Sequence, residues 1–354
     1  MVLMMHPDYE LDDYSEIVDR RVLAVPADCA GMRLDAALAQ LLPDFSRSRL
    51  AQWIKDGQVT VDGQTVTTPK HKLWGGEALS VDARPDPDEI AFQPEDIPLD
   101  VLYADSAILI INKPAGLVVH PGSGNWSGTL LNALLFHYPE LKSVPRAGIV
   151  HRLDKDTSGL MVVARTLAAQ NHLVQQLQAR TVKRHYLAVA QGAIASDGTV
   201  DAPIGRHLRD RVKMAVVHGG KPAVTHYRVL ERFSAHTLVE CQLETGRTHQ
   251  IRVHMAHIGH PLAADSTYNA RPVKVSPEVE LALDDFQRQA LHARKLALVH
   301  PESGKTMQWK APIPQDFENL LAALRFDAHP DDEGDDDWDD EDDDHDCEII
   351  YVRD

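Results

Sequence analysis

The sequence predicts an α+β protein with two ordered parts, on three observations. Stretches of helical and of strand period are mixed along the chain, without the regular alternation of a doubly wound sheet. A run rich in proline and acid at 85–98 separates a short module from a longer one. Both ends are too polar and too acidic to bury a core. The chain therefore divides into a flexible acidic arm at 1–20, a small domain at 21–84, a linker at 85–98, a large domain at 99–326 and a disordered acidic tail at 327–354.

In the small domain, leucines and alanines at helical spacing predict a helix from Arg33 to Leu42, stopped by Pro43. Ser46 is a good N-cap for a second helix, Arg47 to Asp56, ended by Gly57. Val59 and Val61 alternate into an Asp62-Gly63 hairpin turn, Thr65 to Thr67 pairs back, and Leu79 and Val81 supply a last strand. Arg47, Arg49 and Lys55 lie on the second helix and offer a cationic face; a merely solvated face is the alternative.

In the large domain, Val101–Tyr103 and Ala107–Asn112 read as a hairpin leading to Lys113-Pro114-Ala115-Gly116 and Leu117–His120. Thr129–His137 is amphipathic and helical. The run from Gly148 to Ala164 reads as strand, polar turn and strand, with Gly159 free to adopt conformations other residues resist. Leu167–Arg180 is a helix, and strands are expected at Lys183–Ala190, Val224–Arg232 and His236–Leu243.

Composition excludes several classes. No apolar run reaches the roughly 18 residues of a membrane span, and the acidic start is no signal peptide. Cys29, Cys241 and Cys347 are isolated and odd in number, which fits a reducing cytoplasm and no disulfide or thiolate metal framework. Residues 327–354 carry 16 acidic residues against Arg353, and residues 1–20 carry six against Arg20. Removing those −15 and −5 from the net −17 leaves the body at +3. Local positive clusters there can bind phosphates whatever the total charge.

The turn after Val150 holds Asp154 and Asp156 among His151, Arg152 and Lys155. A carboxylate fixed between buried strands, with arginine close by, is what an aspartate nucleophile needs. His151-Arg152-Leu153-Asp154, followed by Thr157-Ser158-Gly159, resembles the active-site motif HRLDxxTSG of the RNA pseudouridine synthases that act on large-subunit ribosomal RNA and tRNA, with no departure. Thr245-Gly246-Arg247-Thr248-His249-Gln250-Ile251-Arg252 is similar to that family's TGRxHQIR motif, whose last arginine pairs with the catalytic aspartate; that position is Arg252. Tyr186, in a K-x-x-Y-x-A setting, matches the tyrosine the family sets against the target base. Asn112–Leu117 matches a further signature, read as a loop bracing the floor of the site. Arg33-Leu34-Asp35, Ser46-Arg47 and Gly57–Gly63 resemble an S4 domain, a small RNA-binding module.

The resemblance implies a pseudouridine synthase fold with a mixed, largely antiparallel central sheet and flanking helices, joined to an N-terminal S4 domain. It implies isomerisation of uridine to pseudouridine: the N1–C1′ bond breaks, the base turns, and C5 joins C1′. No redox change or added material is involved, so no cofactor and no metal are expected, and no nucleotide-binding fingerprint is present. A base inside folded RNA must be flipped out, at a cost of a few kcal/mol. Asp154 is then the nucleophile or base, Tyr186 the stacking ring, Arg252 the group that keeps Asp154 charged and oriented, and Arg152 the flipping residue. Attack at C1′, attack at C6 and elimination to a glycal all stay open. Arg206, Arg209, Arg211 and Lys213 form the most basic stretch of the body, suited to an RNA backbone, with an exposed hairpin as the alternative.

The runs Gly220–Tyr227, Met255–Leu262 and Arg288–Ala293 place the likeness with the branch acting on 23S ribosomal RNA. The resemblance then implies the helix 69 stem-loop at the subunit interface as target, 23S rRNA or a large-subunit precursor as partner, and neither a membrane nor an obligate protein partner. A tRNA or another rRNA site is the alternative within the family. Two other classes compete. Asp154-Lys155-Asp156-Thr157 fits the D-x-D-x-T pattern of Mg²⁺-dependent phosphotransferases, and a non-catalytic S4 protein would use only the basic surfaces. His249, His254, His257 and His260 also invite a metal site, though without a carboxylate at the usual spacing.

Overall fold

The computed structural model describes residues 19–83, 91–122, 125–210, 212–269, 273–329 and 350–351. Arg211, most of the acidic arm, the first part of the linker and most of the acidic tail lie outside the described residues. The chain forms two compact units, Met1–Ile90 and Ala91–Asp354.

The first unit is a four-stranded antiparallel sheet in the order β1-β4-β2-β3, built from β1 (Asp19–Ala24), β2 (Val59–Val61), β3 (Gln64–Thr65) and β4 (Ala78–Ala83). Two helices, α1 (Leu34–Leu41) and α2 (Arg47–Lys55), share its core, where Leu34, Leu38, Leu50 and Ile54 meet Val59, Leu79 and Val81. Ser46 caps α2 as its hydroxyl side chain predicts, accepting from the Arg49 amide at 3.3 Å. Asp62 and Gly63 both take positive φ, the conformation of a two-residue hairpin turn that follows strand twist. β1 begins at Asp19, inside the stretch read as an arm, because Arg20 and Arg21 pair across to Asp82 and Val81.

The second unit is organised on one large sheet in the order β5-β6-β7-β14-β8-β13-β12-β9. Its strands are β5 (Val101–Ala104), β6 (Ile108–Lys113), β7 (Ser158–Ala164), β8 (Lys183–Gln191), β9 (Gly198–Asp201), β12 (Val224–Arg232), β13 (His236–Leu243) and β14 (Leu291–Val299). β15 (Thr306–Lys310) pairs with β14, and β16 (Ile350–Tyr351) pairs with β15. All pairings are antiparallel except β7 with β14, where His292 and Ala293 face Ser158 and Gly159. The mixed, largely antiparallel sheet of an α+β fold is thus present. A separate two-stranded hairpin joins β10 (Ile204–Arg206) to β11 (Met214–Val216).

Among the described residues, five α-helices flank the sheet: α3 (Leu130–His137), α4 (Leu167–Gln178), α5 (Gln250–His257), α6 (Pro277–Phe286) and α7 (Gln315–Ala328). One apolar cluster lies on the face that carries the site, with Tyr186, Ala188 and Ala190 of β8 against Val239 and Cys241 of β13, Ile251 and Met255 of α5, and Ile149 and Leu153. The opposite face buries Leu187 and Val189 against α6 and α7, the alternation expected of a strand buried on both sides. Residues 91–98, read as linker from composition, pack along this unit: Asn132 donates to the Ala91 and Gln93 carbonyls, and Glu95 accepts from Gly128.

One predicted strand is absent. Ile149 and Val150 form only an isolated bridge from Ile149 to Val163, and residues 145–148 coil instead, with Arg146 and Ala147 at positive φ. Leu117–His120 makes a single bridge, Val118 to Thr129. Short apolar runs report burial, which a packed loop satisfies as well as a strand does.

Candidate active site

The loop from Asp154 to Thr157 enters β7, and neighbouring elements fix nearly every residue of it. The Asp154 carbonyl accepts from the Thr157 amide at 3.1 Å. The Lys155 carbonyl accepts from the Gly116 amide at 3.0 Å and from Lys113 Nζ at 2.8 Å. Arg288 Nη1 donates to the Asp156 carbonyl at 3.2 Å, and Gln289 donates to the Thr157 hydroxyl at 3.0 Å. Ser158 Oγ meets His292 Nδ1 at 2.9 Å. Gly159 has φ +109°, and a Cβ there would stand 2.3 Å from the Ala293 carbonyl oxygen, so only glycine lets β7 and β14 approach here. A carboxylate on such a loop is held in place before any ligand arrives.

Lys113 is fully buried, and its three ammonium donors reach the Pro114, Leu117 and Lys155 carbonyls at 2.7, 2.9 and 2.8 Å. The Asn112–Leu117 signature therefore braces the loop directly. Burial lowers the Lys113 pKa to about 7, partly offset by Asp156 and Asp154.

Asp154 keeps 16% of its side chain exposed, enough for a ligand to reach it. Arg252, on the first turn of α5, donates from Nη1 to Asp154 Oδ2 at 3.2 Å. Its other edge is held by Asp265, Nε to Oδ2 at 2.7 Å and Nη2 to Oδ1 at 2.9 Å. The Asp265 carboxylate also accepts from the Thr267 and Tyr268 amides, and the Tyr268 ring lies 5.1 Å from the guanidinium. Burial alone would lower the Arg252 pKa; the two carboxylates, Asp265 foremost, raise it above the usual arginine value.

His249, at the N-cap of α5 with φ +56°, lies with Nε2 3.9 Å from Asp154 Oδ1. Its Nδ1 meets the Tyr268 hydroxyl at 2.8 Å, which accepts from the Met214 amide at 2.9 Å. Burial lowers the His249 pKa, against the opposing field of Asp154.

Tyr186 of β8 is buried on the same face of the sheet. Burial raises its phenol above the ordinary value, and the nearby Asp154 charge adds to the effect. Arg152 is exposed on the Asp154 loop; burial lowers the His249 and His120 pKa values, and the nearby Arg152 charge adds a smaller lowering to each. Of the residues singled out from sequence, the structure brings Asp154, Arg252 and Tyr186 together. Asp265 and Tyr268, in a polar stretch with no period, and Lys113 as an interior cation were not among them.

The other predicted cations with described positions fall on the β10–β11 hairpin and on α2 of the first unit. Arg206 and Arg209 are exposed on the β10–β11 hairpin, and Lys213 there is half-buried and 4.0 Å from Asp210. In the first unit, Arg47 and Lys55 are exposed, with Arg47 3.3 Å from Asp35. Arg49 instead lies over the Phe45 and Trp53 rings at 5.3 and 5.2 Å. Helical spacing could not tell it from its neighbours, because the aromatic partners are a matter of packing.

The histidine run does not assemble as the metal reading requires. His254 is bonded to Thr225 Oγ1 and the Ala202 carbonyl, His260 to the Gln191 carbonyl, and His249 to Tyr268. Among the described residues, no group of three or more His, Cys, Asp or Glu could hold a metal ion. Nor, among them, is any helix long and apolar enough to cross a membrane.

The family profile described as RNA pseudouridylate synthase matches residues 107–257, which contain Asp154, Tyr186 and Arg252, and the S4 domain profile matches 32–79. The chain is 53% identical over 361 residues to the ribosomal large subunit pseudouridine synthase D of Neisseria meningitidis serogroup B, covering 98% of this chain and 96% of that one. It is 58% identical to the protein of that name from Nitrosomonas europaea over 86% of this chain and 87% of that one. For the Escherichia coli K12 protein the figures are 55%, 85% and 94%. Among solved structures, human RNA pseudouridylate synthase domain containing 4 superposes with a TM-score of 0.52 at 29% identity, covering 64% of this chain and 93% of that chain.

Proposed function

Because this chain belongs to the RNA pseudouridine synthase family, and is thus an isomerase acting on RNA, we propose that it converts uridines of 23S ribosomal RNA to pseudouridine with Asp154 as the reacting carboxylate. The substrate class rests on the near full-length likeness to ribosomal large subunit enzymes and on the S4 domain. The helix 69 stem-loop is the finer target, supported by the likeness of residues 255–262 and 288–293 to that branch. The protein acts in the cytoplasm, where that RNA is assembled.

One observation carries the assignment of roles: Asp154 is part-exposed on a rigid loop, held by an arginine whose other edge a second carboxylate anchors. A flipped uridine stacks on Tyr186. Asp154 then either bonds to the sugar or base or removes a proton, and the freed uracil turns to present C5 to C1′. Arg252 holds the carboxylate through both bond-breaking and bond-making, a preorganised electrostatic contribution. Arg152, exposed beside Asp154, fills the space the base vacates or holds a phosphate. Arg206, Arg209, Arg211 and Lys213, with Arg47, Arg49 and Lys55 of the S4 unit, serve the RNA backbone.

The test is to incubate unmodified large-subunit rRNA with the enzyme and map pseudouridine by carbodiimide modification and primer extension. New stops in the helix 69 loop are expected; stops elsewhere in 23S rRNA would replace the fine target, and stops only in tRNA would replace the substrate.

A further inference from the structure

We propose that Arg184 is a binding residue for a phosphate of the RNA strand beside the Asp154 site. The proposal rests on the RNA substrate argued above. Arg184 stands two residues before Tyr186 on β8, so both side chains leave the same face of the strand. It is only 7% exposed, yet among the described residues a guanidinium with five N–H donors makes a single hydrogen bond there, Nη2 to the Glu244 carbonyl at 3.4 Å, longer than the usual range. Its Nε is buried with no partner among them. No carboxylate pairs with it among the described residues, because Glu244 turns its own carboxylate to Arg180 at 2.9 Å and His226 at 2.8 Å.

The Thr245-Gly246-Arg247 turn packs directly against this cation. A Cβ on Gly246 would stand 2.7 Å from Arg184 Nη1. The turn therefore brings backbone against the guanidinium and supplies it no counter-charge. The charge also falls within the site, since its field reaches both Tyr186 and His151, the first residue of the Asp154 motif.

A buried cation without a counter-charge is costly, and folds keep one where a partner arrives later. The partner must be an anion, and a planar fork suits paired anionic oxygens. A uracil carbonyl is neutral and would leave the charge uncompensated. The phosphates flanking a flipped uridine are the anions this substrate brings.

The experiment compares wild type, Arg184→Gln and Arg184→Lys for binding of a helix 69 stem-loop RNA across a salt series, with kcat and KM measured alongside. Arg184→Gln is expected to weaken binding about tenfold and to reduce the slope of log K against log salt by about 0.7–0.9, one phosphate contact. Arg184→Lys should keep the slope while losing part of the affinity, and it tests the proposal should the Gln variant not fold. An unchanged slope in a folded Arg184→Gln overturns the proposal, whether KM rises, which would indicate a uracil contact, or only the unfolding temperature falls, which would indicate a packing role. Isomerisation by the wild type is the control: its absence overturns the proposed function, whereas normal turnover with an unchanged slope overturns Arg184 alone.

Discussion

Asp154 and Arg252 are 98 positions apart in sequence and meet at 3.2 Å, carboxylate oxygen to guanidinium Nη1. The geometry is asymmetric. Arg252 gives one donor to Asp154 and two to Asp265, so the arginine belongs structurally to Asp265 and is presented to Asp154.

That asymmetry separates the effects of two substitutions. Asp265→Asn offers one acceptor where two N–H groups point, and kcat is expected to fall about 10–100-fold with KM little changed. Arg252→Ala leaves Asp265 buried and unpaired, a destabilisation of about 3–5 kcal/mol, read as a lowered unfolding temperature. Single-turnover kinetics and thermal unfolding check both. An Asp265→Asn enzyme of wild-type rate would show that the presentation of Arg252 does not matter.

Tyr186 supplies a ring. Tyr186→Phe keeps it and is expected to hold RNA as wild type does, whereas Tyr186→Leu loses stacking worth about 1–3 kcal/mol, roughly 10–100-fold in affinity for a flipped base. Binding of a stem-loop carrying a single uridine measures this. Equal affinity in the Leu variant would remove the stacking role.

Lys113 gives a pH signature. Its pKa is lowered to about 7 by burial, so between there and the ordinary lysine range the unfolded chain binds more protons than the folded one. Stability contributed through this group therefore rises with pH across that window, and is lower below it, where the buried ammonium must stay charged. The difference in unfolding free energy between wild type and Lys113→Met should shift in favour of the wild type from about pH 6.5 to about pH 9. A difference independent of pH would show that Lys113 titrates normally.

Dialysis against a chelator is expected to leave isomerisation unchanged, because the reaction needs no redox partner and His249, His254 and His260 are bonded to protein groups. Activity lost on chelation and restored by Mg²⁺ or Zn²⁺ would reinstate a metal-dependent reading.

What the sequence shows of this molecule follows from how local each signal is. The helices capped by Ser46 and Thr129 and the Asp62-Gly63 turn are written in neighbouring residues, and they form as expected. The site motifs are also contiguous, which is why Asp154 and Arg252 were readable, although their meeting was implied by resemblance and not by spacing. The contacts of Asp265, Tyr268 and Arg184 were not readable, since they depend on strands and turns brought together from distant parts of the chain. The short strand expected at Ile149 and Val150 does not form because an apolar pair is buried equally well in a packed loop.

The most direct measurement is tritium release from C5-labelled uridine in large-subunit rRNA, wild type against Asp154→Asn. The wild type should release tritium as C5 loses its hydrogen to the new bond, and the variant, with the same fold and one carboxylate oxygen replaced by an amide, should be slower by about a thousandfold or more. Release by a folded Asp154→Asn at the wild-type rate would contradict the central claim that this carboxylate performs the chemistry.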